Sequence, residues 1–184
     1  MQKSVRKLDM YKVRRRDEGN MNYDVVNKNE KTVMGISTVT GNQDPDMKKK
    51  IGMLWSELYQ NGIYEKIQNK ANAYAIGLYS DYTKDGYTVT AGAEVLMSEK
   101  ASKLFSDLTS DLFSDTADMK LVIKKIPAGK YARFSIQGNM ETAVAQAWNE
   151  IWDTDLDRSY SGDYEEYLNS DMENARIDIY IALK

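Results

Sequence analysis

An internal repeat is the feature that most constrains the fold of this chain. At a constant offset of 97 residues, Gly41-Asn42 recurs as Gly138-Asn139 and Trp55 recurs as Trp152. The apolar positions of any two amphipathic helices can be aligned at some sequence offset. The helices that follow each Gly-Asn pair are therefore weak evidence for a repeat by themselves. The shared boundary, the shared Trp and the matching strand pair before each helix make duplication the better explanation.

Each half of the chain is predicted to run strand, strand, helix, strand, strand. Stretches that alternate or are rich in β-branched residues indicate the strands, and Asp44-Pro45-Asp46 is typical of a helix start that Asn61-Gly62 would later end. The predicted strands cover 23–26, 33–40, 73–79, 87–95, 121–126, 131–136, 160–168 and 176–183; the second helix follows Gly138-Asn139 and extends to Leu156; a further helical segment covers 98–115.

The repeat predicts how the halves must pack. A four-stranded sheet with one helix cannot bury both faces alone, so two such units are expected to form one α+β domain with pseudo-twofold symmetry and a groove between the halves. Ligand sites tend to lie where such halves meet. The predicted organisation is a basic N-terminal segment, 1–21, and one domain, 22–184, whose halves 22–97 and 119–184 are joined by the helical segment 98–115.

The composition excludes several kinds of chemistry. The chain contains no His and no Cys, which rules out Ser-His-Asp and Cys-His nucleophiles, disulfides and ordinary zinc sites. No calcium-loop spacing occurs either. Acid–base chemistry would therefore fall to carboxylates, Tyr or Lys, and we expect neither a metal nor a cofactor.

Charge and hydropathy patterns set the expected location and partners. The net charge of −3 with 29% charged residues is that of an ordinary soluble surface, so direct nucleic-acid binding is not expected. The basic residues of segment 1–21 favour a solvated tail or short helix over a nucleic-acid-binding arm, because no folded nucleic-acid-binding motif accompanies them. No apolar run approaches the roughly 20 residues of a membrane span, and no secretory signal occurs, so a cytoplasmic protein without membrane association is expected.

Six short motifs resemble a known family. In order they are Val33-Met-Gly-Ile-Ser37, Ile51-x-x-Leu-Trp55, Ile126-Pro-Ala-Gly-Lys-Tyr131 with Phe134 and Gly138, Trp148-x-x-Ile-Trp152, Asp163-Tyr-Glu-Glu-Tyr167 and Ile179-Tyr-Ile181. Each motif alone is weak, but their order and spacing over residues 23–183 resemble the effector-binding domain family. This family includes the GyrI-like proteins, the ligand-binding domains of AraC- and MerR-type regulators, and integron-associated effector-binding proteins.

The resemblance implies a fold, a function and a central residue. Members of this family have duplicated βαββ-type units and bind amphipathic, often cationic aromatic compounds in the groove between them. A buried Glu among aromatic side chains answers the positive charge of the ligand, and its position in the motif corresponds to Glu165. Phe usually precedes this Glu in the family, whereas this chain has Tyr164, which keeps the ring and adds a hydroxyl.

Two other carboxylates compete with Glu165 or accompany it. From spacing alone Glu165 is an exposed acid beside Glu166, and the family match favours the ligand role instead. Because side chains alternate along a strand, only one of the two can face the groove, and spacing does not decide which. Glu94 is the one other acid in an apolar stretch, and it is either a second groove carboxylate or part of a solvated strand face.

Aromatic side chains are the candidates for the groove walls. An aromatic face attracts a cation and stacks on flat ligands with little directional demand, so Tyr-rich walls suit broad specificity. Each candidate is also compatible with ordinary core packing. The predicted wall residues are Trp148, Tyr131, Phe134, Tyr79, Tyr82, Tyr160 and Tyr167.

Three functions follow from these predictions. The favoured one is a non-catalytic, multidrug-type binding protein for cationic amphipathic molecules, connected to transcription regulation through a partner protein or acting by sequestration. The alternative is a GyrI-like hydrolase of reactive electrophiles, in which Glu165 and Glu94 would direct water. Binding is favoured over catalysis because one acid among aromatics suffices for it. Inhibition of another protein, such as a topoisomerase, is a third alternative, which no local motif marks.

Overall fold

The computed structural model describes residues 14–15, 21–96 and 121–184. The helical segment predicted over 98–115 lies outside the described residues, as do residues 1–13 and 16–20 of the basic segment. In the described part of the chain, no helix is long and apolar enough to cross a membrane.

The described residues form nine strands and three helices, in an order that agrees with the predicted alternation. The strands are β1 (Arg14–Arg15), β2 (Tyr23–Lys28), β3 (Lys31–Thr40), β4 (Lys70–Ser80), β5 (Tyr87–Val95), β6 (Leu121–Ile126), β7 (Gly129–Gly138), β8 (Asp163–Tyr167) and β9 (Ala175–Ala182). The helices are α1 (Met47–Gln60), α2 (Ile63–Lys66) and α3 (Met140–Asp153).

All strands join one antiparallel sheet in the order β1-β2-β7-β9-β8-β4-β5-β3-β6. The structure is therefore mixed helix and antiparallel sheet, as the predicted α+β class requires. Strands β4 and β8 pair at the centre of the sheet, with Gly77 opposite Glu165. Strand β2 pairs with β7, and β6 pairs with β3, so each half of the chain adds an edge strand to the strands of the other half.

Helices α1 and α3 cover the same face of the sheet. Leu54 and Leu58 of α1 are buried against β5, and Ala147 and Ile151 of α3 are buried against β7 and β9. Both helices show the spacing of one apolar stripe that the sequence predicts. The opposite face carries a separate buried cluster that is built around three Tyr rings: Tyr131, Tyr164 and Tyr180.

Helix α3 ends at Asp153 and not at Leu156 as predicted, and the element boundaries also differ from the predictions at two turns. The first helix ends at Asn61-Gly62 as expected, but Gly62 has a φ of 62° and redirects the chain into the short helix α2, which was not predicted. The last hairpin begins later than predicted, because Tyr160 has a φ of 55° and Gly162 a φ of 152°. These backbone angles are incompatible with an extended strand, so β8 begins at Asp163 instead of residue 160.

Candidate functional site

A wide groove lies between α1 and α3, and the central strands β4 and β8 form its floor. It encloses about 2240 Å³, more than the roughly 300–1,000 Å³ typical of small-molecule sites. The groove is therefore large enough for a bulky ligand or for more than one binding pose. Its residues come from both halves of the chain.

Glu165 is the carboxylate on the floor of this groove, and only 1% of its surface is exposed. Its Oε1 accepts hydrogen bonds from Trp148 Nε1 at 2.5 Å and from Tyr79 Oη at 3.0 Å. Its Oε2 accepts one from Tyr167 Oη at 2.7 Å. Three donors from β4, α3 and β8 thus fix the carboxylate in one orientation.

The position of Glu165 depends on a glycine in the neighbouring strand. Gly77 is its partner across the β4–β8 pair. A Cβ atom on Gly77 would lie 2.9 Å from Glu165 Oε2 and 3.1 Å from Trp55 Cζ2, both tighter than ordinary van der Waals contact. The absence of a side chain on Gly77 therefore gives the carboxylate and the indole of Trp55 their room.

The charge of Glu165 is poorly compensated. Burial raises the pKa of Glu165 above its usual value, although the hydrogen bonds from Trp148, Tyr167 and Tyr79 lower it in part. In the described residues, all three hydrogen-bond donors to this carboxylate are neutral groups. Burial together with the nearby carboxylate also raises the pKa of Tyr79 well above its usual value, so its hydroxyl remains a donor. The floor of the groove is an anion without a cationic partner of its own among these contacts.

Two series of touching aromatic rings extend from Glu165 along the groove. The first series extends from α3 to the loop before β8, and the centroids of neighbouring rings lie 5.0–6.2 Å apart. Its members, in order, are Trp152, Trp148, Tyr79, Tyr87, Tyr82 and Tyr160. The second series lies along α1 and α2, with distances of 5.0–6.3 Å: Tyr167, Trp55, Tyr59 and Tyr64. Rings at these separations make favourable contacts with one another, and all ten line the groove.

A buried ion pair lies at the far end of the first series. The carboxylate of Asp163 is fully buried and accepts hydrogen bonds from Tyr82 Oη at 2.6 Å, from the amide of Ala182 at 2.8 Å and from Arg158 Nη2. The Arg158 guanidinium carbon lies 4.6 Å from the centroid of the Tyr160 ring. Asp163 and Glu165 alternate with Tyr164 along β8, so both face the groove side of the sheet.

The structure brings most of the predicted site residues together. The ones that line the groove are Glu165, Trp148, Tyr79, Tyr82, Tyr160 and Tyr167. Of the two adjacent acids, Glu165 lies among the groove residues, whereas Glu166 lies on the other face of the sheet beside Lys31.

The structure places two predicted wall residues outside the groove. Tyr131 is buried on the opposite face of the sheet, where its hydroxyl donates to the carbonyl of Pro127 at 2.7 Å. Phe134 is fully buried beneath α3, where its ring packs 5.2 Å from that of Tyr23. The prediction that these two side chains line the groove is therefore wrong, because both serve the core.

Glu94 does not join Glu165 either. It lies on the opposite face of the sheet, where Lys31 Nζ contacts Glu94 Oε2 at 2.7 Å and Glu166 Oε1 at 2.6 Å. The prediction of a second groove carboxylate at Glu94 is wrong, since this side chain belongs to an ion-pair cluster with Lys31. Among the described residues, no group of three or more acidic side chains is arranged to hold a metal ion.

Several groove aromatics were not among the predicted site residues: Trp55, Tyr59, Tyr64, Tyr87 and Trp152. Tyr59 and Trp152 are each 47% exposed, which is unusual for rings of this size on a helix that packs on a sheet. The predicted offset of 97 is wrong for the helices and hid these residues. Helices α1 and α3 begin 93 residues apart and have equal lengths, so Trp55 occupies the place in α1 that Trp148 has in α3, and Tyr59 the place of Trp152. Trp55 and Trp148 also make similar contacts, with Tyr167 and Tyr79 respectively.

Comparisons with known proteins agree with this architecture. The family model of the integron-associated effector binding proteins matches residues 24–183. An integron cassette protein from the mobile metagenome of Vibrio cholerae is 27% identical with a TM-score of 0.64, over 90% of this chain and 97% of that one. SAV2435, solved bound to tetraphenylphosphonium, is 18% identical with a TM-score of 0.68, over 89% of this chain and 94% of that one, and shows the fold alone. A search of curated proteins found no significant sequence match.

Proposed function

Because the chain belongs to the family of integron-associated effector-binding proteins, we propose that it binds amphipathic, cationic aromatic molecules in the groove between α1 and α3. The observation that carries this proposal is the Glu165 carboxylate, which is buried on the groove floor among neutral donors and aromatic rings. A buried anion costs free energy until a cation arrives. A ligand cation beside it removes that cost, and this gives the groove its charge preference.

The hydrogen bonds of Glu165 indicate which cations fit. A carboxylate has about four lone-pair sites, and Tyr79, Trp148 and Tyr167 already use three of them. The ligand cation therefore needs to supply charge and apolar surface more than a hydrogen-bond donor. Quaternary ammonium and phosphonium groups, which have no N–H, meet this requirement, and each contact with an aromatic face adds about 0.5–2 kcal/mol.

The walls support binding of ligands with varied shapes. Both aromatic series contact bound rings by stacking, which requires little directional matching. The volume of about 2240 Å³ leaves space for different poses. The fold match to SAV2435, which was solved with tetraphenylphosphonium, supports a lipophilic cation as the ligand class for this chain too.

The groove position also supports a duplicated architecture. We propose that strands β2–β5 with α1 and strands β6–β9 with α3 are duplicated βαββ-type units related by a pseudo-twofold axis. The strand order without β1 supports this proposal. If each strand of the first unit is exchanged with its counterpart in the second (β2 with β6, β3 with β7, β4 with β8, β5 with β9), the same order is obtained in reverse. The axis would pass between β4 and β8, which places the ligand groove where the two units meet.

Binding is favoured over catalysis by the same geometry. The hydrolase alternative named Glu94 as the acid that would act with Glu165, and Glu94 lies on the other face of the sheet. The other acid on the groove side, Asp163, is already paired with Arg158, whereas binding needs only one acid. In the cell the proposed role is to sequester such cations or to report them to a transcription regulator through a partner protein. A cytoplasmic location fits either role.

The test compares two molecules of the same shape and opposite charge, tetraphenylphosphonium and tetraphenylborate. We expect the phosphonium to raise the melting temperature, because a ligand present at about 100 times its Kd stabilises by about 2.7 kcal/mol. For a chain of this size that corresponds to a shift of about 8 °C. The borate should bind at least about 100-fold more weakly by calorimetry. Equal affinity for both ions, or no binding of the phosphonium, would contradict the proposal.

A further inference from the structure

The Arg158–Asp163 pair repeats the chemistry of the ligand site a short distance away. Asp163 is a fully buried carboxylate on the same face of β8 as Glu165, and a two-residue step along a strand spans roughly 7 Å. Both carboxylates accept a hydrogen bond from a Tyr of the groove wall: Tyr82 for Asp163 and Tyr79 for Glu165. They differ in one respect, since Asp163 already has a cation beside it.

Arg158 has the contacts that a ligand cation would have. Its Nη2 donates to Asp163 Oδ2, its guanidinium lies over the Tyr160 ring at 4.6 Å, and it forms part of the groove lining. Its Nε is buried and has no hydrogen-bond partner among the described residues. The pair therefore uses a single hydrogen bond where Arg and Asp commonly form two. A different cation that takes the place of this guanidinium therefore forfeits one hydrogen bond to Asp163 instead of the usual two.

From this arrangement we infer that Arg158 is the built-in occupant of a second cation subsite, formed by Asp163, Tyr82 and Tyr160. By filling that subsite, Arg158 restricts the groove to ligands with one positive charge. It is thus a specificity-determining residue. The part of the inference that concerns Glu165 rests on the proposed function, whereas the subsite at Asp163 stands on its own contacts.

Removing the Arg158 side chain should open the second subsite. In Arg158→Ala, Asp163 is left as a second buried anion roughly 7 Å from Glu165. A dication of that spacing would then pair with both carboxylates. We expect pentane-1,5-bis(trimethylammonium) to gain at least about tenfold more affinity from the substitution than pentyltrimethylammonium does, since the weakest couplings measured for close charge pairs at interfaces correspond to about this factor.

The experiment measures both ligands by calorimetry on the wild type, Arg158→Ala and the double variant Arg158→Ala/Asp163→Asn. The double variant removes the second anion together with the cation, so the selective gain for the dication should vanish. A gain of equal size in the single and double variants, or no selective gain in the single variant, would overturn the inference.

Ethylguanidinium supplies an independent readout, because it replaces the atoms that Arg158→Ala deletes. We expect it to raise the melting temperature of Arg158→Ala by several degrees more than that of the wild type or the double variant. If Arg158→Ala is unfolded alone, recovery of its circular dichroism with ethylguanidinium supports the inference, and failure to recover overturns it. This readout does not involve Glu165, so it separates failure of the Arg158 subsite from failure of the proposed function.

Discussion

Gly77→Ala is a small substitution that should disturb the groove floor without replacing any of its charged or aromatic side chains. The new Cβ would lie 2.9 Å from Glu165 Oε2 and 3.1 Å from Trp55 Cζ2. The carboxylate must then move by about half an ångström or more to reach ordinary contact distance. Its hydrogen bond from Tyr167 Oη, now 2.7 Å long, is the contact that such a shift lengthens most directly.

The magnitude follows from that lost hydrogen bond. A hydrogen bond to a charged group contributes about 1.5–3 kcal/mol to stability. Replacing Gly by Ala offsets about 0.4–1 kcal/mol of its loss, because Ala lowers the conformational entropy of the unfolded chain. The expected net loss is about 1–2 kcal/mol in the free energy of unfolding, or a fall of about 3–6 °C in melting temperature. Affinity for tetraphenylphosphonium should fall about tenfold, which corresponds to a lost contribution of 1.4 kcal/mol to binding.

Thermal melts and calorimetric titrations measure both quantities. Gly129→Ala is the matched control, because a Cβ at that strand position has nothing within 4 Å. We expect the control to keep its affinity and to be as stable as the wild type or slightly more so. If Gly77→Ala also retains wild-type affinity and melting temperature, the carboxylate is not held by the strand geometry described here, and the reasoning fails.

Three further predictions concern pH and the opposite face of the sheet. Because burial raises the pKa of Glu165, affinity for a permanent cation should fall with decreasing pH, starting at a higher pH than for an exposed Glu; titrations across pH 4.5–8 measure this. A raised pKa also means that the folded state binds this proton more tightly than the unfolded state does. Glu165 should therefore lower the free energy of unfolding as the pH rises above 4.5. Glu165→Gln should remove this contribution to the pH dependence, which denaturant melts at several pH values measure. Lys31→Met should cost up to about 3 kcal/mol of stability, because it removes the cation that Glu166 and Glu94 share and leaves only Lys28, 4.0 Å from Glu166. Its affinity for tetraphenylphosphonium should match the wild type, and a parallel loss of binding would show that the two faces are coupled.

Local sequence patterns predicted the elements well. The strands and both long helices occur where alternation and capping residues indicate them, because these signals depend on near neighbours. The exceptions are the short helix α2, which was not predicted, and the region before β8, where Tyr160 adopts a positive φ. The ring of Tyr160 packs against that of Tyr82 from a distant part of the chain, and no local pattern reveals such a tertiary contact.

The sheet order could not be read from the sequence. The pairing of β2 with β7 and of β6 with β3 joins segments about a hundred residues apart, and local hydrophobicity does not specify a partner strand. The repeat predicted two equivalent units. It did not show that they exchange edge strands to form one continuous sheet.

The site was only partly predicted. Strand alternation indicates which residues share a face of the sheet, but it does not indicate which face the helices cover. Glu165 was identified by its motif. Tyr131 and Phe134 are separated by three positions on one strand, so they could not both face the groove, and in fact neither does. Glu94 was assigned correctly to one face of its strand, but that face is the one with Lys31.

The central claim is that Glu165 selects cations by charge. Glu165→Gln tests it directly, because the amide keeps the shape and can still bond Trp148, Tyr79 and Tyr167. A cation about 5 Å from the carboxylate at an effective dielectric constant of about 20 gains about 3 kcal/mol, so the substitution should weaken tetraphenylphosphonium binding by about two orders of magnitude. The same change should strengthen tetraphenylborate binding, since it removes a repulsion. Opposite shifts for the two ions are the predicted result; an equal loss for both, or no change in either, would contradict the account.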